Sequence, residues 1–155
     1  TDNDWVTSDD SAGGKLAAEH FIKLGHKNIL AVKALKYESS RIESFLEELG
    51  QHNLNFESIF VDKLEQRLAV DQNRPTAIFV DSDTTVPDCY KIINKLGLAI
   101  PSDISVIGYA DLNFAKYLNP PLTTVRQNGR KLGKRAAELI LERLKKREIA
   151  IKHEY

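Results

Sequence analysis

The sequence predicts an α/β fold in which helices alternate with the strands of a parallel sheet. Short runs of mostly β-branched and aromatic residues predict four strands, at 28–32, 58–61, 77–80 and 104–109. Because these runs are continuously apolar, we expect the strands to be buried on both faces. Helical patterns of about 10–15 residues separate them. This alternation favours right-handed βαβ units and therefore a parallel sheet.

Apolar residues at a spacing of three or four predict the helices. The first helix is expected at 11–24 and the last at about 129–147, and glycines end the first three helices, at Gly25, Gly50 and Gly97. The apolar stripes expected to face inward are Leu16, Ala17, His20, Phe21 and Leu24; Ile42, Phe45, Leu46 and Leu49; Val86, Cys89, Ile93 and Leu96; and Leu132, Ala136, Leu139, Ile140 and Leu144.

The balanced charge of this chain argues against direct binding of nucleic acid through phosphate contacts. Lys and Arg total 22, as do Asp and Glu, so the formal charge is zero. The densest cationic cluster (Arg143, Lys145, Lys146 and Arg147) ends the last predicted helix, where cations favour the negative end of the helix dipole. A single cysteine, Cys89, excludes an internal disulfide and a cysteine-based metal cluster. Without an apolar run of about 18 residues or a signal peptide, a cytoplasmic location is expected.

Ligands of parallel sheets bind beyond the carboxyl ends of the strands. Arg41 is the most informative residue there, since it opens a helix directly after a strand and its planar guanidinium can bind hydroxyl pairs, carboxylates or phosphates. A salt bridge to Glu38, or to a carboxylate across the cleft, is the alternative interpretation. The segments at these strand ends are 33–40, 62, 81–83 and 109–111.

Enzyme motifs are weak in this sequence. "DSD" at 81–83 could hold a metal ion, but the favoured interpretation is that Asp83 caps the following helix. "SAGG" at 11–14 lacks the spacing of a phosphate-binding loop. The histidines are too scattered for a ligand set; they are His20, His26, His52 and His153. We therefore predict no catalytic activity, no metal and no cofactor.

Four segments together resemble the effector-binding core of the LacI/GalR family of bacterial transcription regulators. The first two are "VTSDDSAGGKLAAEHFIKLGHKNI" and "SSRIESFLEEL", and the third is "PTAIFVDSD". The fourth and most specific is "GLAIPSDISVIGYADLNFAKYLNPPLTTVRQNGRKLGKRAAELIL". The resemblance covers nearly all of the chain. The absence of methionine agrees with the expectation that it is a fragment of a longer protein.

The resemblance implies a periplasmic-binding-protein-like fold, with one Rossmann-like parallel-sheet lobe and part of a second. Residues 1–27 would belong to the N-terminal lobe, 28–118 would form the C-terminal effector-binding lobe, and 119–155 would be the crossover and return helix. A small effector, such as a sugar, would bind between the lobes and alter operator DNA binding by a separate helix-turn-helix head. The family also implies a homodimer. A secreted solute-binding protein of the same fold is the alternative, followed by a Rossmann-like enzyme.

Site residues follow from the same resemblance. The positions expected to bind the effector are Arg41, Ser82, Asp83, Asp111, Gln127 and Asp9. Ala110 departs from the family, which commonly has an aspartate there that accepts hydrogen bonds from effector hydroxyls. We therefore expect an effector other than a usual simple sugar, or weak binding. The apolar faces of helices 11–24 and 129–147 also predict self-association.

Overall fold

The computed structural model of the chain describes residues 4–34, 39–145 and 153–155. The chain forms two compact units. The larger unit is Asp10–Arg126, and the smaller contains the residues before Asp10 and after Arg126. In chain order the helices and strands are β1 (Trp5–Val6), α1 (Asp10–Lys23), β2 (Asn28–Lys33), α2 (Ser40–Gln51), β3 (Asn55–Phe60), α3 (Leu64–Leu68), β4 (Ala77–Val80), α4 (Val86–Lys95), β5 (Ser105–Ala110), β6 (Thr123–Arg126), α5 (Gly129–Lys145) and β7 (His153–Glu154).

The larger unit is built on a five-stranded parallel sheet with the order β3-β2-β4-β5-β6. The predicted α/β class is thus confirmed, and β2, β4 and β5 lie within one residue of the predicted runs. Strand β3 begins at Asn55 rather than at 58. It lies at the edge of the sheet, where three of its six residues are exposed, so the expectation of burial on both faces is wrong for this strand.

Each face of the sheet packs against its own pair of helices because side chains alternate along the strands. The strand residues that pack with α3 and α4 are Leu30, Val32, Ile78, Val80 and Val106. Those that pack with α1 and α2 are Ile29, Ala31, Ala77, Phe79, Ile107 and Tyr109. The result is a three-layer α/β/α arrangement with the sheet at its centre.

A line of aromatic rings runs through the α1–α2 layer to the carboxyl end of β5. Phe45 stacks on Phe79 with ring centroids 4.5 Å apart and meets Phe21 edge to face at 6.2 Å. Phe79 in turn meets Tyr109 at 6.5 Å. All four side chains are buried. The hydrophobic core therefore fixes Tyr109 at the sheet edge where ligands of parallel sheets bind.

Helix α1 and strand β6 both belong to the larger unit, which extends beyond 28–118 at each end. Helix α1 packs against α2 through Ala17, Ala18 and Phe21, which are buried. The inward orientation expected of Leu16, His20 and Leu24 is wrong, since these three side chains are exposed. Strand β6 pairs with β5 along Thr123–Arg126. Sequence patterns missed β6 as a strand because its outer residues, Thr123 and Arg126, are polar and exposed. The assignment of segments to the two lobes of the full family fold stays a prediction.

The smaller unit contains α5 and the parallel pair β1–β7. Only Leu139 of the predicted α5 stripe is fully buried. Ile140 and Leu144 are 61% and 76% exposed, so their expected inward orientation is wrong within this chain. The end of the predicted helix at 146–147 lies outside the described residues. Self-association through this exposed apolar surface stays a prediction. None of the described helices has the length and apolarity that a membrane span needs.

The Cys89 thiol should be unreactive in the native protein. The side chain is fully buried in the α4 layer, and burial raises the pKa of the thiol to about 12. Since the thiolate is the reactive form, a disulfide reagent at pH 8 should label less than one thiol per chain until denaturant is added. Rapid labelling without denaturant would contradict the packing of α4. The free thiol released on full unfolding serves as the internal standard.

Candidate effector-binding site

The carboxyl edge of the sheet brings four of the six predicted site residues together. Arg41 lies in the first turn of α2, and its Nη1 donates to the carbonyl oxygen of Asp81 at 2.8 Å, next to Ser82. Asp83 accepts a hydrogen bond from the backbone N–H of Leu112, at 3.0 Å, next to Asp111. These contacts link the first turn of α2 to the end of β4, and the segment after β4 to the turn after β5.

Arg41 is held by groups from three elements. Its guanidinium carbon lies 4.0 Å from the centroid of the Tyr109 ring, a cation–π geometry. Its Nε lies 3.1 Å from Oδ2 of Asp10, although the N–H is not directed at that oxygen, so the contact is an ion pair rather than a hydrogen bond. The Tyr109 hydroxyl donates to the other oxygen of Asp10 at 3.1 Å. With 21% of its side chain exposed, Arg41 is oriented yet accessible to a ligand.

Two glycines at the start of α1 allow this cluster to form. A Cβ on Gly13 would lie 2.4 Å from the Tyr109 hydroxyl oxygen. A Cβ on Gly14 would lie 2.2 Å from the backbone oxygen of Arg41 and 2.3 Å from the hydroxyl of Ser44. Neither distance is compatible with a side chain. The Gly-Gly pair thus lets α1 pack closely against Tyr109 of β5 and against α2.

Asp83 has a structural role that differs from the predicted helix cap. It is fully buried, makes no capping hydrogen bond, and accepts instead from the Thr124 hydroxyl at 2.8 Å and from Leu112 N–H. A Cβ on Gly108 would lie 2.1 Å from the Asp83 carboxylate. Asp83 therefore ties β4 to β5 and β6. Whether it also reaches an effector stays a prediction, as does the contact of Ser82, whose hydroxyl lies 2.8 Å from that of Thr84.

Asp81 is the other carboxylate at this edge. Its Oδ1 accepts from the backbone N–H of Ala34 at 2.8 Å. Burial raises the pKa of its carboxyl above the usual value, while that hydrogen bond and the charges of Arg41 and Lys33 act in the opposite direction. Within the residues that the structure describes, no three histidine, cysteine, aspartate or glutamate side chains are grouped to hold a metal ion.

The turn after β5 has an unusual backbone. Ala110 has φ +130° and Asp111 has φ +56°, a region that side-chain-bearing residues seldom adopt. The Asp111 N–H donates to the Thr124 hydroxyl at 3.3 Å, and its carboxylate pairs with Arg126. The alanine methyl group leaves position 110 without a polar side chain at the rim.

Asp9 and Gln127 belong to the smaller unit, whereas the other four predicted residues belong to the larger one. The Gln127 amide donates to the Ser8 hydroxyl at 3.2 Å, so Gln127 lies beside the segment that contains Asp9. Their contacts with an effector stay predictions. Glu38, considered as a partner of Arg41, lies outside the described residues.

Sequence patterns missed Asp10 and Tyr109 as partners of Arg41. The available signals were the adjacent aspartates of "SDDSAGG" and the position of Tyr109 at the end of a buried strand. Neither signal identifies a contact with a residue 31 or 68 positions away (41 − 10 and 109 − 41). These side chains meet because α1, α2 and the end of β5 pack together.

Comparison with known proteins identifies the family. Residues 18–155 match the family described as periplasmic binding protein-like domain. The chain belongs to this family. It is 35% identical to the HTH-type transcriptional repressor PurR of Vibrio vulnificus, over 94% of this chain and 47% of the repressor. It is 32% identical to the ribose operon repressor of Haemophilus influenzae, over 92% of this chain and 47% of the repressor.

Solved structures of LacI-family regulators show the same fold. A regulator from Enterococcus faecalis with bound ribose is 27% identical, with a TM-score of 0.83 over 97% of this chain and 58% of that one. A regulatory protein of the LacI family from Chloroflexus aggregans is 30% identical, with a TM-score of 0.88 over 99% of this chain and 60% of that one. The predicted LacI/GalR resemblance is confirmed. This periplasmic binding protein-like chain spans about half the length of the curated relatives it matches.

Proposed function

We propose that this chain is the effector-binding core of a LacI-type transcriptional regulator. A small molecule would bind at the carboxyl edge of the sheet and alter operator DNA binding by a helix-turn-helix head elsewhere in the whole protein. The observation that carries this proposal is the Arg41 guanidinium, which Asp10, Tyr109 and the Asp81 carbonyl hold in an accessible orientation. A planar donor group fixed in this way suits a ligand with paired oxygen acceptors.

The relatives favour a regulator over the alternatives. Both curated relatives compared above are named repressors, and neither is named as a secreted solute-binding protein or an enzyme. We further propose that the whole protein is a cytoplasmic homodimer without catalytic activity. Size-exclusion chromatography with light scattering checks the dimer, and a monomer at high concentration would contradict it.

A sugar or related metabolite is the proposed ligand class. The Enterococcus faecalis regulator binds ribose, and its fold matches nearly all of this chain. Calorimetric titration of the intact protein with ribose, a hexose and a nucleoside tests the class. Because Ala110 offers no acceptor, we expect no micromolar binding of an ordinary hexose, and finding it would overturn this expectation.

Replacing Ala110 with aspartate should restore sugar binding. The new carboxylate could accept hydrogen bonds from ligand hydroxyls, and a hydrogen bond to a charged group contributes about 1.5–3 kcal/mol. Affinity for ribose should therefore rise about 10- to 150-fold in isothermal titration calorimetry. Ala110→Asn, which has nearly the same shape without the charge, is the matched control and should gain less. Equal ribose affinity in all three proteins would refute the role assigned to position 110.

A further inference from the structure

The chain passes between its two compact units twice, and on the side of the larger unit each crossing has a charged residue. The first passage is between Asp9 and Asp10, and the second is between Arg126 and Gln127. Asp10 and Arg126 are thus the first and last residues of the larger unit. Both form ion pairs with residues predicted to bind the effector.

At the first crossing, Asp10 pairs with Arg41. Its Oδ2 lies 3.1 Å from Arg41 Nε, and its Oδ1 accepts from the Tyr109 hydroxyl at 3.1 Å. The side chains of Asp10 and Arg41 are only 30% and 21% exposed, so water screens this pair less than a fully exposed one. A change in the position of the Arg41 guanidinium would therefore alter the ion pair of Asp10, the first residue of α1.

At the second crossing, Arg126 pairs with Asp111. Ala110 is opposite Arg126 in the β5–β6 register, which places the strained turn directly beside the end of β6. The Asp111 N–H also donates to Thr124, two residues before Arg126. The Arg126 side chain is 75% exposed, and its Nε pairs with the Asp111 carboxylate.

We propose that Asp10 and Arg126 are positioning residues that link the effector-binding side chains Arg41 and Asp111 to the two chain crossings. This inference rests on the proposed function, since it assumes that Arg41 and Asp111 meet the ligand. A ligand that binds these groups must share or displace the same charges, so its binding free energy depends on the state of both crossings. The coupling between ligand binding and the crossings is reciprocal. The two direct ion pairs are enough to carry it, without a chain of further residues through the core.

A purely structural role for the two ion pairs would give a different experimental pattern. Partly exposed ion pairs add little to global stability, so melting temperatures would not separate the two roles. Ribose affinity of Asp10→Asn and Arg126→Gln, each made in the Ala110→Asp protein, separates the two roles, because loss of a purely structural pair would leave binding unchanged. A local measurement at the crossings reports whether the site side chains control these particular backbone segments.

Hydrogen–deuterium exchange of the intact protein provides this measurement without any ligand. We expect Arg41→Gln to increase exchange in peptides that contain Asp10, and Asp111→Asn to increase it in peptides that contain Arg126, each about two- to fivefold. The matched control is Arg67→Gln, which removes a pair with Glu57 in the same unit while Arg67 is also 21% exposed. This control should leave both crossings unchanged. Arg126→Lys should retain wild-type exchange, whereas Arg126→Gln should not.

Unchanged exchange at both crossings in Arg41→Gln and Asp111→Asn would overturn the inference, as would an equal increase in Arg67→Gln. Ribose titration of the same substitutions in the Ala110→Asp protein separates this result from the proposed function. Exchange that follows the expected pattern while the Ala110→Asp protein binds no ribose would leave the coupling intact and contradict the ligand class. Ribose binding with unchanged crossings would refute the coupling alone.

Discussion

Replacing Gly14 with alanine is expected to destabilise the protein by about 3 kcal/mol, at the upper end of the usual cost of overpacking. The added methyl group would lie 2.2 Å from the backbone oxygen of Arg41, which cannot rotate away as a side chain could. Helices α1 and α2 would have to separate, which would loosen the packing of Phe21 against Phe45. Urea denaturation measures the loss directly, and the melting temperature should fall by about 6–12 °C.

Gly133 provides the matched control for this substitution. It lies inside α5, and a Cβ there would meet no atom within 4 Å. Gly133→Ala should therefore stabilise the protein by about 0.5–1 kcal/mol, because alanine loses less conformational entropy in a helix. The two substitutions add the same methyl group and should have opposite signs. A neutral or stabilising Gly14→Ala would show that α1 and α2 are not in close contact.

The parts of this fold that sequence predicts are those with a local signal. Buried strands such as β4 are continuously apolar, and helix α4 carries an apolar stripe at helical spacing. Strand β6 has neither signal, since Thr123–Arg126 becomes a strand only by pairing with β5. For α5 a local signal is present but misleads, because it predicts an inward face that is in fact exposed. Its apolar spacing is regular, yet the chain supplies few residues to cover it.

The candidate site shows the same division between local and long-range information. The placement of Arg41 and Asp111 at this edge could be predicted because both follow strands, while their contacts with an effector stay predictions. Asp83 was expected to cap a helix, but its carboxylate is used by Leu112 and Thr124, which come from later in the chain. Such contacts depend on sheet order, which local patterns do not specify.

Arg41→Gln should lower effector affinity by about 10- to 150-fold, the effect of losing a charge-assisted hydrogen bond worth about 1.5–3 kcal/mol. Glutamine keeps polar atoms and much of the aliphatic stem, so the loss isolates the charge and the planar donor group. The substitution also removes the cation–π contact with Tyr109 and leaves Asp10 without its cation. We therefore expect a small loss of stability together with the large loss of binding.

The titration is best carried out with ribose in the Ala110→Asp protein, where affinity for this sugar should be highest. Arg41→Lys should bind nearly as poorly as Arg41→Gln, because an ammonium group keeps the charge but cannot donate two parallel hydrogen bonds from a plane fixed by Tyr109. Arg67→Gln is the control for removing an arginine elsewhere in the larger unit. If lysine restored full affinity, charge alone would account for binding, and the fixed orientation of Arg41 would not matter. If glutamine bound ribose as well as arginine does, the ligand would have to lie at another part of the sheet edge.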